Sequence, residues 1–407
     1  MKKFLALTLA LVMSLSLVAC GDKKTDDTKT DEPDQKTEHP AENEGAYKVA
    51  MITDYGDITD QSFNQTTYEA CKAFAEDNDI EFNYFKPVGD NTADRVAMIE
   101  KAADEGYNVI VMPGYAFGGA IVEAAPEFPD VKFIALDVAA GDLLETAVAK
   151  AGKTYDYTPD NWDLSEYVDM SNVYCAVYQE ELCGYMAGYA AVKLGYTHLG
   201  VLGGMAVPAV QRFGYGFVQG ADAAAVEMGI ADQVVMEYAY GNQFYGDSDI
   251  TAYMDNWYQT LGVEVVFASG GGIYTSAAEA AAKVGGKLIG VDVDQSANID
   301  TYGEGMCVTS AMKGLAETVK HMLGEVVAGN FANYGGQVET LGLVNGDDPT
   351  ANYVQLPMET TQWGDGFTQD DYKALVKAMY DGDVTVSNDI SAMPATTITV
   401  NFAGNIK

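Results

Sequence analysis

Aromatic and polar side chains follow two predicted strands, at points where a parallel sheet would bind a ligand. Asp60, Phe63 and Asn64 lie in the turn that leaves the first strand, and Phe213 opens a helix after a later strand. Ligands of open parallel sheets bind beside the carboxyl ends of the strands. Aromatic rings stack on flat ligands, and carboxylates accept hydrogen bonds from hydroxyl groups. The combination favours recognition of a flat ring that bears a sugar, although an ordinary core position explains each Phe equally well.

An internal repeat places two carboxylates in equivalent positions. Segments 106–137 and 262–292 each read as strand, Gly turn, Ala-rich helix, strand and a final Asp. Generic α/β patterning is the alternative explanation. The repeat predicts two similar lobes, with Asp137 and Asp292 at matching strand ends on opposite walls of a cleft.

The elements that must hold these residues alternate along the chain. Short apolar runs separated by helical stretches of 10–15 residues predict βαβ units and an α/β fold with parallel sheets. We predict a loop insertion over 142–171, where the rhythm stops. The predicted strands are 49–53, 81–85, 108–112 and 132–136, and the predicted helices are 65–77, 91–105, 117–125 and 369–382.

Signatures of enzymes are missing from the sequence. It contains no GxxxxGK[ST], HExxH or GxSxG motif, and only His198 and His321 follow residue 47. The run 292–300 imitates a calcium loop but lacks the required Gly and Glu. We therefore predict no catalytic residue, no metal site and no cofactor. A glycosidase or nucleosidase that uses Asp137 and Asp292 as paired carboxylates stays open as an alternative.

The net charge of the chain limits the kinds of partner that it can bind. With 60 acidic and 23 basic residues, the chain has a formal net charge of −37. Nucleic acids and anionic membrane surfaces require a basic patch, so we expect neither as a partner. A length of 407 residues allows two or three domains and a large buried core.

The first residues resemble a bacterial export signal. Lys2 and Lys3 precede an apolar stretch over 4–18, which ends just before Ala19-Cys20. That arrangement predicts a lipoprotein signal peptide over 1–19 and a lipidated Cys20, for example with palmitate. Residues 20–46 are polar and read as an acidic, flexible tether. We expect the protein on the extracytoplasmic face of the cell membrane.

The remaining cysteines show no spacing that is typical of a metal site. Cys71, Cys175, Cys183 and Cys307 lie far apart in the chain. We predict buried free thiols that pack as small hydrophobic groups, although disulfides are permitted outside the cell.

Five ordered motifs occur along the chain: Met51–Asp54 with Asp60–Asn64, Gln179–Glu181 with Gly184–Gly188, Arg212–Phe213 with Gly216–Phe217, Ile289–Gln295 and Thr309–Lys313. Together they resemble the basic membrane protein family of substrate-binding lipoproteins, which includes purine nucleoside receptors of ABC importers. The resemblance covers roughly residues 47–335. It implies a type I periplasmic-binding-protein fold, with two doubly wound parallel-sheet lobes joined by a three-strand hinge. We expect an N-terminal lobe of 47–179 plus 293–330 and a C-terminal lobe of 180–292 plus 331–407.

The resemblance also implies roles for individual residues. Phe63 and Phe213 would stack on the base, and Asp60 would contact its edge. Gly271 would let the backbone approach the ligand. The sequence departs from the family pattern at Gln61 and in 142–171. The complete implied ligand-binding set is Asp60, Phe63, Asn64, Asp137, Phe213, Gly271, Asp292 and Lys313, in which Asp137, Asp292 and Lys313 would bind ribose hydroxyls and nearby polar atoms.

The resulting hypothesis is a binding protein and not an enzyme. It would capture a nucleoside in an interlobe cleft, as a monomer, and deliver it to an ABC permease driven by an ATPase. A sugar or autoinducer-type receptor of the same fold is the alternative.

Overall fold

The computed structural model describes residues 47–407. Within this range no helix is both long enough and apolar enough to cross a membrane. The predicted signal peptide, the lipidated Cys20 and the tether all lie outside the described residues.

Two sheets organise the described chain. The first has the order β11-β5-β4-β3-β1-β2, and all its pairings are parallel. Its strands carry runs of buried apolar residues, as burial on both faces requires. The strands are β1 Lys48–Ile52, β2 Glu81–Phe85, β3 Val109–Pro113, β4 Lys132–Leu136, β5 Val173–Tyr178 and β11 Val338–Leu341.

The second sheet repeats the same plan. Its order is β12-β10-β9-β8-β6-β7-β13, and only the β10–β12 pair is antiparallel. The order 2-1-3-4-5 therefore occurs in both sheets, which confirms the internal repeat, and each sheet reverses its winding between its first and third strands. The strands are β6 His198–Gly203, β7 Val235–Tyr240, β8 Val265–Ser269, β9 Lys287–Asp292, β10 Cys307–Lys313, β12 Val354–Gln355 and β13 Thr399–Asn405.

Helices connect the strands. The π-helical turn Asn256–Leu261 continues α7. The α-helices are α1 Phe63–Asp77, α2 Thr92–Asp104, α3 Gly118–Ala124, α4 Ala140–Lys150, α5 Glu180–Lys193, α6 Pro208–Met228, α7 Ser248–Asp255, α8 Tyr274–Ala282, α9 Ser296–Ile299, α10 Leu315–Val327 and α11 Gln369–Tyr380.

The chain passes between the two lobes three times, and the three crossings run side by side. The backbone N–H of Gln179 donates to Leu341 (2.9 Å), that of Tyr353 to Gly342 (3.1 Å), and that of Gly314 to Tyr353 (2.7 Å). These hydrogen bonds join the crossings into one narrow connection, which is the geometry of a hinge.

The lobe boundaries differ from the predicted ones in two places. Residues 293–313 belong with the second sheet, because β10 pairs beside β9 before the chain crosses. Residues 331–341 belong with the first sheet, because β11 pairs with β5. Helix α10 lies with the first lobe, where it packs on α1.

The predicted strands and helices are present, and their ends differ from the predicted ones by at most two residues. The loop predicted over 142–171 is wrong in its first part, which forms α4. Leu143, Leu144, Ala147 and Val148 are buried on one face of this helix, and the Asp142 carboxylate accepts the Ala139 N–H at its start. The helical spacing was present in the sequence, but aromatic and polar residues further along obscured it.

All four cysteines of the described chain, Cys71, Cys175, Cys183 and Cys307, are free and buried. Burial raises the pKa of each thiol, so they are poor nucleophiles and act as core residues.

Glycines bring α5 and α6 into close contact in the second lobe. A Cβ atom added at any of four glycines would lie closer than 3.0 Å to a carbonyl oxygen of the facing helix. This close approach sets where Phe213 lies relative to the start of α5. The four glycines are Gly184 and Gly188 in α5 and Gly216 and Gly220 in α6.

We predict that Gly188→Ala destabilises the protein. Overpacking costs about 1–3 kcal/mol, which exceeds the gain of about 1 kcal/mol from replacing a helical glycine. The measurement is thermal unfolding of both variants beside the wild type. Gly324→Ala in α10 is the matched control, because an added Cβ there meets nothing within 4 Å. Equal melting temperatures for the two variants would contradict the packing argument.

Candidate functional site

A cavity of 640 Å³ opens between the carboxyl ends of the two sets of strands. It lies where each sheet reverses its winding, beside Asp54 and Gly114 in the first lobe and Ser269 and Gly270 in the second. Open α/β sheets bind their ligands at such switch points. All eight residues in the predicted ligand-binding set line this cavity, although they are scattered over 254 positions of the chain.

Asp137 and Asp292 occupy the equivalent positions that the repeat predicts. Asp137 follows the last residue of β4, and Asp292 is the last residue of β9. Both have left-handed backbone conformations, with φ angles of 58° and 66°. Such angles are uncommon for residues other than glycine and tend to persist where function requires them. The same strained turn therefore aims a carboxylate from each lobe at the cavity.

Lys313, at the end of β10, joins these carboxylates. Its Nζ donates to Asp137 and lies 3.5 Å from Asp292 Oδ1 and 3.7 Å from Glu180 Oε1. The lysine side chain is only 3% exposed. Burial lowers the pKa of Lys313, but the charges of Asp137, Asp292 and Glu180 raise it further, so the net shift is upward. The ammonium is therefore held charged between the lobes.

Aromatic rings surround the same ammonium. Its Nζ lies 4.7 Å from the ring centroid of Phe63, 5.5 Å from that of Phe213 and 5.6 Å from that of Tyr178. Phe63 comes from the first lobe and Phe213 from the second, so the two rings border one point of the cavity from opposite lobes. Cation–π attraction adds to the ion pairs that hold the lysine.

Phe213 also serves the core. It is 2% exposed and its ring packs edge-on against Phe267, with centroids 6.1 Å apart. Phe63 is only partly buried. One buried ring therefore fills the core and lines the cavity, while contact of Phe213 with a ligand stays a prediction.

Glu180 and Arg212 extend the charge cluster and were missing from the predicted set. The Arg212 Nε donates to Glu180 Oε2 at 2.6 Å, and the Glu180 side chain is fully buried. Glu180 thus lies between the guanidinium and the Lys313 ammonium. Adjacent glutamates at the start of the otherwise apolar α5 are the sequence signal that indicates a buried ion pair here.

Asp60 organises the loop before α1. Its carboxylate accepts the backbone N–H groups of Ser62 (3.0 Å), Asn64 (2.9 Å) and Gln65 (3.0 Å). Burial raises the pKa of Asp60, and these hydrogen bonds oppose the rise. Both carboxylate oxygens thus hold Phe63 and Asn64 in place, while contact of Asp60 with a base edge stays a prediction.

Three residues that line the cavity carry buried polar atoms with free hydrogen-bonding capacity. Among the described residues, Asn64 Oδ1, Asp137 Oδ1 and Ser269 Oγ are buried and have no hydrogen-bond partner. Burying such atoms without a partner costs about 1–3 kcal/mol each. A ligand that reaches these atoms with N–H or O–H donors would supply the missing hydrogen bonds.

Gly271 lies in the Gly270–Gly272 turn after β8, with a φ of 53°. The left-handed angle favours glycine there, and the turn packs against Phe244, a further residue of the cavity wall. The sequence analysis named Gly271 but not Phe244, whose loop has no recognisable signature.

Two lobes of equal topology, a three-part hinge and a polar and aromatic cleft between them define a two-lobed solute-binding protein. The sequence matches, over residues 47–347, the model of the Bmp family, described as "ABC transporter substrate-binding protein PnrA-like". The chain belongs to this family. Its membership confirms the resemblance seen in the sequence, and the family and the fold are those of substrate-binding proteins.

Similar proteins occur in several bacteria. The ABC transporter nucleoside-binding protein BmpA of Lactococcus lactis is 25% identical over 74% of this chain and 80% of its own length. Basic membrane protein B of Borreliella burgdorferi is 25% identical over 74% of this chain and 79% of its own. The CD4+ T-cell-stimulating antigen of Listeria innocua is 25% identical over 88% and 95%.

Solved structures share the fold. An ABC transporter solute-binding protein from Aeropyrum pernix matches with a TM-score of 0.60 and 22% identity, covering 84% of this chain and 88% of that one. A second, from Conexibacter woesei, gives 0.61 and 22%, covering 84% and 99%. At this identity the likeness shows the fold alone.

Glu181, beside Glu180, is a buried acid with an unsatisfied oxygen. It is 3% exposed, and its Oε2 has no hydrogen-bond partner among the described residues. Burial raises the pKa of Glu181 to about 7. The folded state therefore holds this proton more tightly than the unfolded state, whose pKa is near 4.5. The Glu181 carboxyl therefore makes its full contribution to the free energy of unfolding below pH 4.5, and this contribution is lost as the pH rises through 7.

We predict that Glu181→Gln stabilises the protein at pH 8 and changes little at pH 4.5. The expected gain at pH 8 is on the order of 2 kcal/mol, because the amide needs no buried charge. Urea unfolding across this pH range measures it. Glu227→Gln is the control: hydrogen bonds from Lys193 and Tyr189 lower the pKa of this exposed acid, so its loss should destabilise slightly above pH 4.5. Parallel pH profiles for wild type and Glu181→Gln would refute the assignment.

Proposed function

We propose that this protein is the extracytoplasmic nucleoside receptor of an ABC importer, anchored to the membrane by lipid at Cys20. One observation carries the proposal: Phe63 and Phe213, from opposite lobes, border the point where Lys313 gathers Asp137 and Asp292. The site thus offers one aromatic ring from each lobe beside charged acceptors, which are the two kinds of group that a base joined to a sugar requires. The nucleoside-binding name of the Lactococcus relative supports the same ligand class.

The base would stack between Phe63 and Phe213. Base–aromatic stacking is worth about 1–3 kcal/mol per ring and tolerates any base. Asn64 Oδ1, which has no partner among the described residues, would accept a hydrogen bond from the base edge. Asp60 would act mainly by fixing Asn64 and the loop.

The ribose would bind on the charged side of the cavity. Asp137 and Asp292 offer carboxylate oxygens, and the free Asp137 Oδ1 would accept a ribose hydroxyl. Hydrogen bonds to charged groups contribute about 1.5–3 kcal/mol each. The charge of Lys313 opposes protonation of Asp137, but burial outweighs it and raises the pKa of that carboxyl to about 6.

That electrostatic arrangement supports binding without chemical conversion. A glycosidase or nucleosidase needs a carboxylic acid that can give up a proton to the leaving group. The Lys313 ammonium instead lies between Asp137 and Asp292, where the scissile bond of a glycosidase substrate would have to lie. The ligand would instead be held by hinge closure and released unchanged to the permease.

Calorimetric titration with inosine, guanosine, adenosine, ribose and glucose tests the proposal. We expect a purine nucleoside to bind with a stoichiometry near one, and chromatography to recover it intact. Phe63→Ala should weaken nucleoside binding by about 5- to 150-fold, through the loss of one stacked ring.

The matched control for that titration is Phe402→Ala, which removes a half-exposed ring from the edge strand β13 of the second lobe. Its affinity should equal that of the wild type. Binding of glucose or ribose without any nucleoside would favour the sugar-receptor alternative, and release of free base would show an enzyme.

We further predict that Cys20→Ser abolishes membrane attachment, because the lipid is transferred to the thiol. Several relatives in Pyrococcus species are named lipoproteins, which supports this placement. Fractionation of cells after washing without detergent should find the variant in the medium or as precursor, and gel filtration of the released protein should give a monomer. A variant that sediments with the membrane like the wild type would remove the anchor from the proposal.

A further inference from the structure

The loop before α1 reaches from the first lobe to the second and makes three hydrogen bonds there. The backbone oxygen of Gln61 accepts from Gln295 Nε2 at 3.2 Å, and its side-chain Oε1 accepts from the Tyr274 hydroxyl. Ser62 Oγ donates to Asp292 Oδ2 at 2.6 Å. We propose that Gln61 is the latch of the cleft, a residue that sets affinity for every ligand alike by holding the closed lobes together through Tyr274 and Gln295.

The backbone of Gln61 supports this role. Its φ of 55° lies in the left-handed region, which is costly for a residue with a side chain. Strained residues persist only where surrounding contacts hold them. The contacts that hold Gln61 include its two hydrogen bonds to the opposite lobe, so these hydrogen bonds help to maintain the strained backbone.

The partners in the second lobe are already rigid. Gln295 is fully buried. Its side-chain Oε1 accepts the Val291 backbone N–H at 3.0 Å, and its backbone N–H donates to Ser310 Oγ. Tyr274 begins α8 and is 2% exposed. A contact between groups that are fixed beforehand loses little side-chain entropy when it forms.

Hinge opening would break these hydrogen bonds together, so they stabilise the closed form alone. The apparent dissociation constant of a ligand equals its intrinsic dissociation constant divided by the fraction of protein in the form that binds it, which here is the closed form. A weakened latch lowers that fraction by the same factor for every ligand. A direct contact between Gln61 or Tyr274 and the ligand would instead change the affinities of different ligands by different factors.

The inference rests on the proposed function for its ligand and is tested first by binding kinetics with inosine and adenosine. Tyr274→Phe and Gln61→Ala should each raise Kd by about 3- to 10-fold, mainly through faster dissociation and equally for both nucleosides. The double variant should lose no more affinity than the single variant that binds more weakly. Both substitutions remove the same hydrogen bond, between the Tyr274 hydroxyl and Gln61 Oε1. Tyr380→Phe, on an exposed site in α11, is the matched control and should bind as the wild type does.

Distances between spin labels separate the latch from the identity of the ligand. Labels at Asp104→Cys in the first lobe and Val284→Cys in the second occupy exposed positions, whereas the four thiols between residues 47 and 407 are buried. Tyr274→Phe should shift the interlobe distances of the purified protein away from the closed population, with or without inosine. If inosine does not bind the wild type, the proposed function is wrong. The change in interlobe distance without ligand then tests the latch by itself. Unchanged distances, unequal losses for the two nucleosides, or losses that multiply in the double variant would overturn it.

Discussion

The cleft depends on one buried ammonium. Lys313 contacts Asp137 from the first lobe and Asp292 from the second, and Glu180 lies 3.7 Å away beside a hinge crossing. An isolated buried charge costs several kcal/mol, and removal of one partner from a buried pair costs about 3–5 kcal/mol. The arrangement is therefore stable only when the carboxylates of both lobes reach the same lysine. That requirement ties the positions of the lobes to the chemistry of the cavity.

The topology explains how distant residues meet at this lysine. Each lobe repeats the strand order 2-1-3-4-5, so equivalent strands end on the same side of each sheet. Asp137 and Asp292 close equivalent strands and share a left-handed turn. Three adjacent crossings then face the two sheets toward each other. Closure about such a hinge brings one carboxylate from each side to a common point, which a single sheet would not achieve.

Much of this arrangement follows from the sequence, because it depends on local repeats. The segments that end at Asp137 and Asp292 share one pattern, and the fold class follows from the alternation of strands and helices. The pairing of Glu180 with Arg212 did not follow, because sequence gives the charge of a residue but not its burial. The lobe boundaries failed for a similar reason: β10 has an ordinary strand sequence, and only its pairing with β9 assigns it to the second sheet. The sequence therefore did not predict which distant strands and side chains pair with each other.

In the proposed complex, the nucleoside binds around Lys313, with its base on one side of the lysine and its ribose on the other. A crystal structure of the purified protein with inosine tests it directly. The account predicts density for the base between Phe63 and Phe213, and ribose hydroxyls within hydrogen-bond distance of Asp137 and Asp292. Inosine bound outside this cavity, or with its ribose between the two rings and its base on the carboxylates, would contradict the account.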